Sequence, residues 1–120
     1  MKIAADILVA LVALLHLWFL VLEMFLWDKP LGLKTFRQTP ESAATSKVLA
    51  ANQGLYNGFL AAGLVWGLVA VDPVGFQVTV FFLLCVIIAG LYGAKTVNKR
   101  ILFIQAVPGA LALVIVLLSR

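Results

Sequence analysis

The sequence predicts an all-α fold: an integral membrane bundle of four helices in one domain. Three observations carry that reading. The chain of 120 residues is 64% hydrophobic and only 12% charged, whereas a soluble domain typically has about 25% charged residues. Its mean hydropathy of +1.13 leaves too little polar side chain to cover it against water, so lipid is its natural solvent. The apolar residues gather into four runs, each near or above the ~20 residues with which a helix crosses ~30 Å of hydrocarbon. No period-2 alternation supports a barrel, and lipid forbids unpaired backbone, so the runs are read as helices.

The first run covers residues 3–27. A secretory signal peptide is the competing reading, with Lys2 as its basic start. Asp6, the excess length and the missing small-residue cleavage site predict instead that this helix is retained. The second run covers 48–71, and the connection before it, 28–46, holds Pro30, Gly32 and Pro40. That connection has room for a short interfacial helix around 31–38. Asp72-Pro73 predicts a tight turn into the third run, 74–94, because Pro disfavours a helical residue before it. The fourth run covers 101–118 and contains Pro108, which cannot donate to the carbonyl of Ile104. A kink is expected there, with Gln105, Gly109 and Ala112 sharing a small-residue face.

Charge placement orients the bundle. Lys29, Lys34, Arg37 and Lys47 flank the first connection, and Lys95, Lys99 and Arg100 the third. The opposite side has Lys2, Arg120 and Asp72. Positive residues stay inside, so both basic connections are expected in the cytoplasm and both termini on the non-cytoplasmic side. The formal charge of +4 does not suggest a nucleic-acid partner, because the Lys and Arg residues sit in short loops between apolar runs. Trp27 is placed as an interface anchor, whereas Trp18 and Trp66, lying deeper, are expected to pack between helices. Cys85 stands alone among apolar residues, so it forms no internal disulfide and is read as a small apolar filler.

The polar residues inside the runs raise the functional question. His16 and Glu23 are seven apart, within about 20° on one helical face and roughly 10 Å along the axis. Ionisable groups inside a span usually face a bundle interior or a wet cavity. A structural reading competes: Glu23 is a turn from Trp27 and within reach of headgroup water, and His16 as a neutral imidazole needs one neighbour. On the second helix, with Asn52 at 0°, Tyr56, Gln53 and Asn57 fall at about 40°, 100° and 140°. Gly63 and Gly67 fall deeper on that arc, at about 20° and 60°, while Gly54, Gly58 and Ala61 form a separate close-packing face. Tyr92 and Gln105 bring polar groups from the third and fourth helices to the same leaflet. These positions predict a polar cavity open to the cytoplasm, with His16 at its floor and Gly63 and Gly67 lining it.

The stretch "LAANQGLYNGFLAAGL" at 49–64, with "HLWFLVLEMFLW" at 16–27, resembles a bacterial membrane family catalogued as domain of unknown function 1304. The likeness covers nearly the whole chain and is most specific from Asn52 to Gly63. His16, Glu23, Asn52, Gln53, Tyr56 and Asn57 match the family pattern. The resemblance implies a four-helix fold in the bacterial cytoplasmic membrane and no established reaction.

Three functions compete. One is binding or transport of a small cationic or amphiphilic solute, with Glu23 as counter-charge and proton acceptor, and with a homodimer sharing the cavity. A second is intramembrane acid/base catalysis by His16 and Glu23 on a lipid-like substrate. Against it, the chain has no nucleophile–base pair, HExxH spacing or nucleotide loop, and catalytic residues stay unassigned. A third is a ligand-free assembly protein, whose polar arcs pair directly and leave no cavity. No cofactor is called for, and one His with one deep carboxylate is too few ligands for a metal.

Overall fold

The computed structural model describes all residues, 1–120, and contains helices with no strand. Helix α1 spans Lys2–Met24, α2 Pro30–Phe36, α3 Pro40–Val69 and α4 Val74–Thr96. A π-helical turn, Leu102–Ala106, leads into α5, Val107–Leu118. Two of these helices, α1 and α4, are long and apolar enough to cross a membrane, and the apolar stretch Leu102–Leu118 is shorter. Helix α3 is the longest at 30 residues but is not as apolar, because Asn52, Gln53 and Asn57 lie within it.

Several boundaries follow from local chemistry. The connection after α1 does hold a short helix, α2, with proline in its first turn, where the absent N–H costs nothing. Arg37 ends α2 in the left-handed region (φ 53°, ψ 48°). Pro40 then opens α3 eight positions before the apolar run begins, so the helix carries a polar first part, Pro40 to Lys47. The Asp72-Pro73 bond is cis, and the Asp72 carboxylate accepts from the backbone N–H of Phe76 at 3.1 Å, starting α4. Pro108 sits in the first turn of α5, and the π turn lies just before it. There Val107 N–H reaches back to Leu102 O, so the turn widens where the proline withholds a donor.

The chain divides into two compact units. One consists of Leu14–Ala61. In it, α1 and α3 touch closely: a methyl built on Gly54 would lie 2.7 Å from Cγ of Met24 and 3.1 Å from Cβ of Glu23. One built on Gly58 would lie 2.7 Å from Cδ1 of Leu20. The face formed by Gly54, Gly58 and the buried Ala61 is thus a close-packing face. At the connection, Trp27 donates its indole N–H to Ser46 Oγ at 3.1 Å and packs on Phe36, 4.7 Å between ring centres. Lys47 pairs with Asp28 at 3.0 Å beside it.

The other unit consists of Met1–Ala13 with Ala62–Arg120. Its core includes Val9, Leu64, Leu83, Val86 and Ala112. Helix α4 packs on the π turn and on α5 through two glycines. A methyl on Gly90 would lie 2.6 Å from the backbone N of Ala106, and one on Gly109 would lie 2.9 Å from Cγ1 of Val86. Trp18 and Trp66, expected to pack between helices, are about half exposed (45% and 53%).

Candidate polar site around Glu23

Glu23 lies one position before the end of α1 and is only 3% exposed. Its carboxylate accepts two amide hydrogen bonds from α3: Gln53 Nε2 to Oε2 at 2.6 Å and Asn57 Nδ2 to Oε1 at 2.5 Å. Gln53 and Asn57 are four apart, so successive turns present both amides on one side. Helix geometry also sets the depth of the site. Side chains lean toward the helix N-terminus, so Glu23 reaches away from Trp27 and the polar connection. Its Cβ stands level with Gly54, and its two oxygens reach Gln53 and Asn57, one to either side of that level along α3.

The carboxylate meets neutral amides and no basic group. Lys47, in the same unit, pairs instead with Asp28. His16, one heptad from Glu23 on α1, is fully buried, its ring edge-to-face with Phe19 at 5.3 Å.

Asn52 and Tyr56, on the same helix as the two amides, do not pair with the Glu23 carboxylate. Asn52 is exposed on α3, and Tyr56 is 56% exposed, tilted against Phe59 at 5.9 Å. Tyr92 and Gln105 belong to the other unit, Tyr92 exposed on α4 and Gln105 half-buried in the π turn. The expectation that Gly63 and Gly67 line a cavity is corrected. A methyl on Gly63 would overlap the Phe82 ring, and one on Gly67 would overlap Oγ1 of Thr79. Both glycines are close contacts with α4, and the wheel missed this because it shows a residue's direction and not its neighbour. Gly67 does border a separate recess of about 60 Å3, walled by Lys2, Asp6, Asp72, Thr79 and Arg120. Beside α3, a shallow groove runs past Met24, Val48, Asn52 and Leu55.

The amide clamp lies within the part of the chain that a family model matches, residues 10–117, described as "Protein of unknown function (DUF1304)". The chain belongs to the DUF1304 family. It is also 32% identical over 116 residues to the "Uncharacterized protein YpaA" of Lactococcus lactis subsp. lactis (strain IL1403), covering 95% of this chain and 97% of that protein. No solved structure matches the chain. The DUF1304 match thus includes every residue from His16 to Gln105 discussed above.

Proposed function

We propose that this DUF1304 protein is a multi-pass protein of the bacterial cytoplasmic membrane that binds or transports a small cationic or amphiphilic solute at Glu23. One observation carries the reading: the buried Glu23 carboxylate is held by two neutral amides and has no basic partner. A purely structural pair of amides would be served by a neutral Gln at this position. A carboxyl calls for a cation or a proton to balance it, since an unpaired charge away from water is costly. Gln53 is the exposed member of the cluster and marks the side from which a solute would approach. In this reading the basic connections face the cytoplasm and both termini lie outside.

The test uses the purified protein in liposomes and the lipophilic cation tetraphenylphosphonium as probe. Saturable binding or uptake is expected for the wild type and its loss for Glu23→Gln. Equal binding by both proteins overturns the role of Glu23.

A ligand-free assembly role is the second reading. It is favoured by Gly63 and Gly67, whose open sides are filled by Phe82 and Thr79, and by the direct pairing of Glu23 within the chain. It expects no saturable binding by either protein, together with a loss of stability in Glu23→Leu.

A further inference from the structure

Asn52 has no role in the cluster beside it. Its side chain is exposed on α3, and unlike Gln53 and Asn57 it pairs with nothing in the chain. It stands five residues past Lys47, the last charged residue of α3, about 7–8 Å farther along the axis. An amide facing hydrocarbon at that depth lacks the partner it would have in water.

The neighbours of Asn52 indicate what supplies one. Val48, Asn52, Leu55, Phe59, Ala62 and Trp66 are all exposed and follow one another at alternating intervals of four and three. That is the spacing of a heptad seam, in which two helices pack along a shared stripe. Outward stripes of similar spacing run along α1 (Ile3, Ile7, Leu11, Leu14) and α4 (Phe81, Leu84, Ile88, Leu91). Those are apolar throughout and suit lipid as they stand. The α3 stripe differs by its single amide.

We propose that this stripe is the interface of a parallel homodimer, with Asn52 facing Asn52 of a second copy. The occupant follows from the amide itself, which carries a donor and an acceptor and is therefore its own complement. Two copies inserted in the same direction and related by a twofold axis along the membrane normal place identical residues at identical depth, an isologous contact. A single Asn at a core position of a heptad seam specifies register and a two-stranded, parallel pairing. Farther along, Ala62 lets the helices approach closely. An unrelated partner would need its own amide at this one level, and nothing else in the stripe would hold it. The proposal does not rest on solute binding at Glu23, whose side chain lies off this stripe.

The test uses single-cysteine variants in a Cys85→Ala background, oxidised with copper–phenanthroline in native membranes. Asn52→Cys and Phe59→Cys are expected to form covalent dimers, while Leu84→Cys and Ile88→Cys on α4 remain monomeric. Phe59→Cys keeps the Asn52 amide, so the seam is tested even where Asn52→Cys weakens association. Asn52→Leu should lower the dimer association constant in lipid by roughly tenfold, read by energy transfer between labelled copies. Dimers that form as fully at Ile88 as at Phe59 overturn the interface, as does a monomeric Phe59→Cys. Undiminished association of Asn52→Leu overturns the role of the amide.

Discussion

Asn57 Nδ2 lies 2.5 Å from Glu23 Oε1, joining α3 to α1 across 34 residues of chain in a place where both side chains are buried. Removing the carboxylate strands the buried amide of Asn57, while the exposed Gln53 is free to turn to solvent. Glu23→Leu should destabilise the protein by about 1–3 kcal/mol, the cost of leaving buried polar groups unpaired. Glu23→Gln retains an acceptor and should cost less. Unfolding in mild detergent, followed by helicity, measures both. A Glu23→Leu protein as stable as the wild type would show that the clamp contributes nothing to folding.

The glycine contacts predict a ranking. A methyl at Gly67 or Gly90 meets backbone atoms of Thr79 or Ala106, which cannot turn aside. At Gly58 it meets only Cδ1 of Leu20, the end of a flexible side chain. Gly67→Ala and Gly90→Ala should therefore each cost about 1–3 kcal/mol, and Gly58→Ala clearly less. Gly63→Leu should also destabilise, because the Phe82 ring fills its side. Thermal melts of the four variants decide the order, and a Gly63→Leu protein with an unchanged melt would restore an open cavity at that position.

Asp28 is partly exposed, and the hydrogen bond and charge of Lys47 hold its carboxyl below the usual 3.8. A depressed folded value means that the pair's small contribution is present above pH 3.8 and is lost as pH falls through the folded value. Because the pair is exposed, it should also weaken with salt. Carbon-detected NMR titration of Asp28 should give a higher value in Lys47→Met than in the wild type. An unchanged titration would mean that the ion pair is not populated.

The basic connections predict the orientation. In a Cys85→Ala background, Ser42→Cys should react with a membrane-impermeant maleimide only after the membrane is opened, and Ser119→Cys in intact cells. Labelling of Ser42→Cys from outside reverses the assignment.

The sequence by itself determined the helices, because length, hydropathy and proline placement act locally. The start of α4, the short helix after Pro30, the turn at Asp72-Pro73 and the disturbance before Pro108 were legible for that reason, whereas α1 ends at Met24, three residues short of the apolar run. Helical periodicity also separated the packed face of Gly54 and Gly58 from the arc of Asn52 and Tyr56. What stands opposite each face was left to tertiary structure. A wheel collapses a helix of 30 residues, about 45 Å long, into one circle. Tyr56 and Gly63 are only about 20° apart on it, yet Tyr56 is 56% exposed and Gly63 is buried. Packing also chose Gln53 and Asn57 as the partners of Glu23, because the buried carboxylate faces α3 where two successive turns present an amide. Direction around a helix is a property of spacing, but a neighbour is a property of the other helix.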